Sequence, residues 1–429
     1  RLVGSEMCIR DRYIIGLTER SIVMKKINSK KITSVLCIVL VLLFSSCGTQ
    51  KKSNSSSSTT VSTSETTTFS TEPTTTTVEP TSNIEETLDN SLDNYISQMT
   101  TEEKVGQMFY VRCPNTNGLE QINQYHIGGY ILFGKDFENK TKEEVKSTIQ
   151  SYQDEAKIPL LIGVDEEGGT VVRVSSNPEL RENPFLSPKD TFANGGWDGI
   201  INDAEEKAKL LLSLGINVNM APDCDITSDT SGFMYDRSFS DNIDDVDKFV
   251  STVVSTSKEY HLGTVLKHFP GYGNNVDTHT GIAYDNRDYS EFTEKDFKPF
   301  IAGINVGADC ILVSHNIVNC IDKNYPASLS ENVHKIIRNQ LNFNGVIMTD
   351  DLIMDAITEF TGDESAAVIA TKAGNDLLCC SSVDTQYPAV LKAVKNNEIP
   401  INQINDSVKR ILKWKINLGI LDADTILNS

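Results

Sequence analysis

The stretch NGVIMTDDLIM, residues Asn344 to Met354, decides the predicted fold. It contains a short apolar run that is followed at once by two carboxylates, Asp350 and Asp351. A near-continuous apolar run is what a strand requires when a parallel sheet is buried on both faces. Polar residues at the carboxyl end of such a strand are typical of the active-site face of an α/β barrel.

Seven further runs of this type occur along the chain. They are Val105–Cys113, Gly128–Gly134, Pro159–Gly169, Gly215–Ile226, Gly263–Gly273, Ala308–Asn316 and Gly374–Ser382. The segments between the runs, such as Lys140–Lys157, Asp244–His261 and Ser330–Asn342, carry apolar residues at three- and four-residue spacing, which predicts helices. Eight strands that alternate with helices predict an α/β protein with a single (β/α)8 TIM-like barrel. Six of the runs end in polar residues that we expect at the catalytic face: Asp165, Asp225, His268, His315, Asp350 and Ser381.

The first 85 residues differ from this pattern. Residues 1–23 resemble translated non-native sequence, and residues 24–46 resemble a lipoprotein signal peptide with ten apolar residues from Val35 to Phe44. Ten residues are too few to span a bilayer. This segment ends at Cys47 in a pattern that resembles a bacterial lipobox, which predicts lipidation of Cys47 and a lipid anchor on the extracytoplasmic face of the cell membrane.

A low-complexity segment follows Cys47. From Ser53 to Ser82, 21 of 30 residues are Ser or Thr, so this segment cannot bury a core. We therefore predict a disordered linker over residues 47–85 and the barrel domain over residues 86–425.

The composition excludes several classes of function. With 39 basic and 59 acidic residues the net charge is -20, which argues against a nucleic-acid partner because phosphate binding depends on basic surface. Six widely spread histidines, without a CxxC or HExxH motif, predict no metal site, and we expect no cofactor. The barrel cysteines lie mostly within the apolar runs, and their number permits disulfides without requiring them. We expect a monomer.

Three clusters of residues carry the chemistry: VDEEGGTVVRV (Val164–Val174), KHFPGYGNNVDTHTG (Lys267–Gly281) and VIMTDDLIM (Val346–Met354). Each of them lies at the end of a predicted barrel strand. Together with the YDRSF turn they resemble the hallmarks of the β-N-acetylhexosaminidase branch of the family 3 glycoside hydrolases. The resemblance covers about Leu88 to Leu421.

The resemblance implies three catalytic residues. Asp350 matches the nucleophile, a carboxylate that attacks the anomeric carbon and is then displaced by water with retained configuration. His279 matches the acid/base, and Asp277 matches the carboxylate that fixes the tautomer of the imidazole. We expect Asp351 to cap or orient instead of attacking.

The resemblance also implies five substrate-binding residues, since carboxylate acceptors and fixed cationic donors suit the polar edge of a sugar ring. They are Asp165, Arg173, Arg237, Lys267 and His268. Glu166 and Glu167 are expected in turn and supporting roles, Asp225 as a residue that orients an arginine, and His315 as either a site residue or a structural histidine. The chain departs from the family pattern at Tyr272, where much of the family has His, and in a loop to His279 that is one residue shorter.

The function implied by the resemblance is that of a lipid-anchored, retaining exo-β-N-acetylglucosaminidase acting on a GlcNAc-containing saccharide such as a peptidoglycan fragment. A β-glucosidase or β-xylosidase is an alternative, although the glucosidase branch draws its acid from a different domain and not from a DTH loop. A β-N-acetylglucosaminide phosphorylase is another, because a histidine repels an anionic acceptor less than a second carboxylate would. The alternative from another class is a two-lobed solute-binding lipoprotein, which would not need Asp350 together with the DTH loop.

Overall fold

The computed structural model describes residues 81–362 and 365–428, with side chains from residue 86 onward. The predicted signal peptide, Cys47 and nearly all of the predicted linker lie outside the described residues. The first described helix begins at Thr81, within the segment predicted as linker. None of the helices in the described ranges combines the length and the apolar character that crossing a membrane requires.

The described residues contain ten strands. In chain order they are β1 (Phe109–Arg112), β2 (Gly129–Leu132), β3 (Leu161–Val164), β4 (Val218–Asn219), β5 (Gly263–Phe269), β6 (Tyr284–Asp285), β7 (Cys310–Val313), β8 (Ile317–Val318), β9 (Val346–Thr349) and β10 (Leu378–Cys380). Eight of them form a parallel sheet in the order β10-β1-β2-β3-β4-β5-β7-β9, while β6 and β8 pair separately. A parallel bridge between Met348 and Leu377 joins β9 to β10 and completes the ring. The predicted (β/α)8 barrel is confirmed, and each barrel strand lies within one of the eight apolar runs.

Helices follow most of the barrel strands. The helices of eight or more residues are Thr81–Gln98, Gly118–Tyr125, Lys142–Glu155, Pro188–Ser213, Ile243–Glu259, Phe297–Asn305, Ala366–Ala373, Val383–Lys395 and Ile401–Asn417. The shorter ones are Thr101–Gln107, Tyr289–Glu291, Glu331–Lys335, Asp355–Thr361 and Ala423–Leu427.

Local sequence explains where these helices begin. The helix Lys142–Glu155 starts with a capping box, in which Thr141 Oγ1 accepts from the Glu144 N–H at 3.3 Å and Glu144 Oε2 accepts from the Thr141 N–H at 2.8 Å. These bonds satisfy donors that a helix start otherwise leaves unpaired. Val145 and Ile149, one turn apart, are buried against the barrel.

Two segments differ from the prediction. The strand expected from Val105 begins only at Phe109, because a capping box at Thr100 starts the helix Thr101–Gln107 just before it. The helix predicted over Ser330–Asn342 changes after Lys335 into a π-helical turn that covers Ile336–Gln340.

Close packing inside the barrel restricts which side chains fit at single positions. A β-carbon at Gly163 on β3 would come within 1.7 Å of the hydroxyl oxygen of Tyr110, so only glycine leaves room for this buried ring. Five of the six cysteines in the described residues are buried, Cys320 is exposed, and all six are free thiols. The cysteines of the apolar runs therefore act as small packing groups.

The parallel order of the strands determines where the site lies. All eight carboxyl ends meet at the same mouth of the barrel, so the residues that follow β3, β4, β5, β7, β9 and β10 converge there. Long loops after β4 and β5 extend this mouth, and the loop after β5 carries the Asp277–Thr280 turn.

Candidate active site

A buried ion cluster lies at the centre of the mouth. Lys267 Nζ, on β5, is 2.7 Å from Asp165 Oδ1 and 2.6 Å from Glu167 Oε1. Arg237 donates to the same Glu167 through Nε at 3.0 Å and Nη2 at 2.7 Å. Burial raises the pKa of Glu167, but the charges of Arg237 and Lys267 outweigh that effect and hold the pKa well below its usual range. The cluster therefore presents two fixed cations to the mouth.

The alternation of side chains after β3 explains which acids join this cluster. Asp165 and Glu167 are two positions apart and reach the same lysine, whereas Glu166 points away from it. Glu166 accepts from the backbone N–H groups of Arg173 at 2.9 Å and Val174 at 2.7 Å, and from Ser175. Glu166 thus holds the turn that carries Arg173, as expected for a turn residue.

The guanidinium of Arg173 is differently placed from that of Arg237. Its Nη1 donates to the Val172 carbonyl at 3.2 Å, and no carboxylate among the described residues pairs with it. Its side chain is partly exposed. Arg173 is therefore a cationic donor whose remaining N–H groups are available to a ligand.

His268 lies beside the ion cluster in a fixed orientation. Its Nδ1 is 2.7 Å from Asp225 Oδ2, and its Nε2 is 3.2 Å from Arg237 Nη2. Burial and the nearby charge of Arg237 lower the pKa of His268 to about 4, so the ring is neutral at neutral pH. Asp225 was expected to orient an arginine; the structure instead has it hydrogen-bonded to the His268 ring and to the N–H of Tyr272 at 2.5 Å.

Asp223 completes this group and was not singled out from the sequence. Burial, together with the charge of Asp225, raises the pKa of Asp223 well above its ordinary value. One possible metal-ligand atom from each of Asp223, Asp225 and His268 lies within 4.8 Å of the other two, a spacing that is compatible with binding a metal ion. However, Arg237 Nε lies 3.8 Å from Asp223 Oδ2 and Nη2 contacts His268, so a guanidinium cation already occupies the surroundings of these three groups.

Asp350 follows β9 directly, and its carboxylate is partly exposed at the mouth. Its backbone N–H donates to the Val313 carbonyl of β7 at 3.1 Å, and its Oδ1 accepts from the Asp351 N–H at 2.8 Å. Burial raises the pKa of Asp350, but the charges of His315, His268 and His279, which are protonated at the acid pH where Asp350 titrates, more than offset this, so the pKa lies below its usual value. The carboxylate is therefore ionised at neutral pH, as a nucleophile must be.

Asp351 and His315 support the segment that carries Asp350. Asp351 Oδ1 accepts from the N–H groups of Ser381 at 3.1 Å and Ile353 at 3.2 Å, and Oδ2 accepts from the Ser381 hydroxyl. His315 is fully buried, with Nδ1 2.7 Å from Ser328 Oγ and Nε2 3.1 Å from the Asp351 carbonyl oxygen. Both ring nitrogens of His315 are thus occupied by structural partners.

Asp277 and His279 form a dyad in the loop after β5. Asp277 Oδ1 accepts from the His279 backbone N–H at 2.9 Å and lies 2.6 Å from its Nδ1. The imidazole itself is exposed, 6.4 Å from the Phe233 ring between centroids. The hydrogen bond from Asp277 and the charge of Asp350 raise the pKa of His279 above the ordinary imidazole value. The raised pKa favours the protonated form of an imidazole that is exposed at the mouth of the barrel.

The sites predicted from sequence divide into three groups. Asp165, Arg237, Lys267 and His268 form one connected network, Asp277 and His279 form the dyad, and Asp350 interacts electrostatically with His268 and His279. Arg173 belongs to none of these groups, since its guanidinium donates to the Val172 carbonyl. Glu167, expected from the sequence only in a turn or supporting role, joins both cations, and Asp223 was not predicted at the site. The two-residue spacing of Asp165 with Glu167, and of Asp223 with Asp225, was the available signal, because alternate residues of an extended chain face the same side.

Comparison with known proteins identifies the family. Residues 100–414 match the model described as the glycosyl hydrolase family 3 N terminal domain. Beta-hexosaminidase of Idiomarina loihiensis is 34% identical over 309 residues, which cover 67% of this chain and 91% of that protein. Beta-hexosaminidase A of Pseudoalteromonas piscicida is 30% identical over 327 residues, which cover 70% of this chain but only 55% of that protein.

The similarity to a solved structure supports the same family assignment. The glycoside hydrolase family 3 beta-N-acetylglucosaminidase from Paenibacillus sp. str. FPU-7 aligns with a TM-score of 0.70 at 27% sequence identity, covering 75% of this chain and 63% of that chain. From these matches the chain belongs to glycoside hydrolase family 3, in its β-N-acetylhexosaminidase branch, and is a glycosidase.

Proposed function

We propose that this protein is a retaining exo-acting β-N-acetylhexosaminidase that removes terminal β-linked GlcNAc. Asp350 is the nucleophile, His279 is the acid/base, and Asp277 orients His279. The observation that carries this assignment is the position of Asp350, directly after β9, at the same mouth as the Asp277–His279 dyad, in which Asp277 Oδ1 lies 2.6 Å from His279 Nδ1; in agreement with it, the pKa of Asp350 is lowered and that of His279 is raised. Pairs of groups pushed apart in this way are typical of acid/base assignments in active sites.

In the first step a carboxylate oxygen of Asp350 attacks the anomeric carbon as the bond to the leaving oxygen breaks. The imidazolium of His279 gives its proton to that oxygen, so the aglycone departs as a neutral alcohol. An ester between Asp350 and the sugar forms, with inverted configuration at the anomeric carbon. His279 is left neutral, with its Nδ1 still hydrogen-bonded to Asp277.

In the second step neutral His279 takes a proton from water, and the resulting hydroxide attacks the anomeric carbon. The ester bond breaks, Asp350 returns to its carboxylate form and His279 returns to its protonated form. The second inversion restores the β configuration, so the product retains the configuration of the substrate. Asp277 supports both steps because its negative charge stabilises the imidazolium and holds one tautomer of the neutral ring.

The ion cluster suits the recognition of one sugar ring. Arg173 has uncommitted N–H donors, while Lys267 and Arg237 are held rigidly by Glu167, so their remaining donors face the mouth at low cost in side-chain entropy. Asp165 Oδ1 is used by Lys267, which leaves its other oxygen to accept from sugar hydroxyls. Neutral His268 adds a hydrogen-bonding group that carries no charge.

The proposed location follows from the sequence of the N-terminal segment. A lipid at Cys47 would anchor the enzyme on the extracytoplasmic face of the membrane, where peptidoglycan fragments with terminal GlcNAc are accessible. The Ser/Thr-rich segment would hold the barrel away from that surface, by on the order of 30 Å for a flexible coil of this length. We expect the barrel to act as a monomer.

A panel of aryl glycosides tests the substrate and the chemistry together. Aryl β-GlcNAc should be cleaved in preference to aryl β-glucoside and β-xyloside, and NMR should show the β-anomer of GlcNAc as the first product. Preferred cleavage of the glucoside or xyloside, or the α-anomer as first product, would contradict the proposal. The same assay with phosphate separates hydrolysis from phosphorolysis, because a phosphorylase would release the sugar 1-phosphate.

The first prediction concerns the nucleophile. Asp350→Asn should abolish turnover with the fold intact, because an amide keeps the shape but lacks the charge and nucleophilicity of the covalent step. Activity is measured with aryl β-GlcNAc, and folding is checked by circular dichroism. Asp355→Asn, in the nearby helix Asp355–Thr361, is a matched control that should stay active. Near wild-type activity of Asp350→Asn would move the nucleophile elsewhere.

The second prediction concerns the acid/base. His279→Ala should slow cleavage of poor leaving groups most, by about 10² to 10⁴-fold. An activated dinitrophenyl substrate should still form the Asp350 ester, which then accumulates because no base activates water. Azide needs no deprotonation and should relieve this block by forming a β-glycosyl azide. Equal slowing of both substrates, with no burst and no azide product, would show that His279 is only structural.

The third prediction concerns pH. The acid role of His279 requires its protonated form, so kcat/KM should fall as pH rises through the raised pKa of His279, above the ordinary imidazole value of about 6.5. Asp277→Asn removes the charge that favours the imidazolium, so this alkaline limb should move to lower pH. NMR titration of the imidazole, assigned from its absence in His279→Ala, should show the same direction. An unmoved or higher pKa would contradict the proposed role of Asp277.

The fourth prediction concerns the anchor. Cys47→Ala, expressed from Met24, should lose its lipid and appear in the soluble fraction, because ten apolar residues are too short to remain as a span. Metabolic labelling with a fatty acid measures the modification. Cys37→Ala, within the apolar run, is the control and should keep the label. A labelled Cys47→Ala product would refute the lipobox assignment.

A further inference from the structure

Tyr272 is a buried residue in the loop that leads from β5 to the Asp277–His279 dyad. Its hydroxyl oxygen accepts the backbone N–H of Thr278 at 2.8 Å and lies 2.9 Å from the Thr278 hydroxyl. Thr278 is the residue between Asp277 and His279. Tyr272 therefore makes two hydrogen bonds to the centre of the dyad.

The side chains of the turn differ in their exposure. Val276 is 65% exposed and the His279 side chain 59%, whereas Thr278 is 1% exposed. The backbone of the turn packs against the helix Asp355–Thr361, and the His279 ring lies beside Phe233. The Thr278 side chain is the part of the turn that enters the protein, and it ends on the Tyr272 hydroxyl.

Tyr272 is itself fixed to the barrel. Its backbone N–H donates to Asp225 Oδ1 at 2.5 Å, and the other oxygen of Asp225 holds the His268 ring. The Tyr272 ring packs between His268 at 5.6 Å and Phe233 at 5.9 Å, measured between centroids. The dyad is thereby linked through one side chain to a residue of the ion cluster.

Side-chain hydrogen bonds to other elements also hold the first half of the loop. Asn274 Oδ1 accepts from the Thr227 hydroxyl at 2.8 Å, and Asn275 Nδ2 donates to Asp285 Oδ2 at 2.8 Å. Both residues precede Asp277. Removing the Tyr272 hydroxyl would leave the loop attached at these two points, while the turn that carries His279 would keep its packing against the helix Asp355–Thr361 but lose its two hydrogen bonds to Tyr272.

We propose that Tyr272 is a positioning residue of this enzyme, whose hydroxyl holds the Asp277–Thr280 turn so that the His279 imidazole faces the leaving oxygen. This inference depends on the proposed function, in which His279 is the acid/base. Proton transfer in a transition state requires hydrogen-bond reach, so a turn with freedom to move spends less time in the productive geometry. The effect should be largest for substrates whose leaving group needs a proton.

Tyr272→Phe tests this with the full chain, since it removes one oxygen and keeps the ring. With a GlcNAc disaccharide, whose leaving group is an alcohol, kcat/KM should fall roughly 10- to 100-fold, a part of the full general-acid contribution. With the dinitrophenyl substrate kcat/KM, which reports formation of the Asp350 ester and not its hydrolysis, should fall less than about threefold, because dinitrophenolate departs without a proton. Thr278→Val removes the second hydrogen bond from the loop side and should change the ratio of the two rates in the same direction.

A double variant and a matched control distinguish a positioning role of the Tyr272 hydroxyl from a role in stability alone. Tyr272→Phe with Thr278→Val should be little slower than Tyr272→Phe alone, because the two residues act through one contact. Tyr130→Phe is the control, since its buried hydroxyl donates to the Gly118 carbonyl at 2.7 Å on another part of the barrel. It should lower thermal stability and leave the ratio of the two rates unchanged.

Each outcome supports or overturns the inference. Equal slowing of both substrates by Tyr272→Phe, or no slowing of either, would show that the hydroxyl serves stability alone. If Tyr272→Phe does not fold, the ratio measured for Thr278→Val decides the matter. A failure of the proposed function is recognised separately, because the activity of His279→Ala would then not depend on the leaving group. If the activity of His279→Ala depends on the leaving group and that of Tyr272→Phe does not, only the role of Tyr272 is refuted.

Discussion

The contact between Lys267 Nζ and Glu167 Oε1, at 2.6 Å, is the interaction on which the site depends. Both side chains are almost completely buried, and burying either charge alone would be strongly unfavourable. Glu167 meets this requirement for two cations at once, since Arg237 donates to it through two nitrogens. Asp165 supplies the second negative charge, so two carboxylates balance two cations. The cluster can therefore be rigid, dry and still polar toward a ligand.

A series of hydrogen bonds connects this cluster to the rest of the mouth. Arg237 reaches His268, His268 reaches Asp225, and Asp225 reaches the backbone of Tyr272. Tyr272 then holds the turn that carries His279. In such a network each buried polar group restricts the position of its partners, because leaving a polar group unpaired in a low-dielectric interior costs free energy. The exposed dyad is the end of this chain of contacts.

The three histidines near Asp350 differ in pKa because their surroundings differ. Burial lowers the pKa of His268 and of His315, so both are neutral, and each has its ring nitrogens engaged by fixed partners. His279 is exposed, and its hydrogen bond to Asp277 raises its pKa instead. Of these three histidines, only His279 combines a raised pKa, which favours the protonated form, with exposure to solvent, and a general acid requires both.

The sequence by itself determined the barrel and the chemical types at its mouth. Apolar runs such as Cys310–Val313 mark the strands because burial on both faces is a local requirement, and polar residues such as Asp350 mark the strand ends for the same reason. The alternation in VDEEGG even separates Asp165 and Glu167 from Glu166. The residue types of the motifs also identified the family.

Only the tertiary structure decided which partners these residues have. Arg237 and Glu167 are 70 positions apart in the chain, and Lys267 and Asp165 are 102 apart, so no local pattern relates them. The same holds for Asp225, whose partner is His268 and not an arginine. Periodicity reports which face of a strand or helix is buried, whereas a hydrogen bond depends on distances of a few ångströms that arise only when separate strands close into a ring.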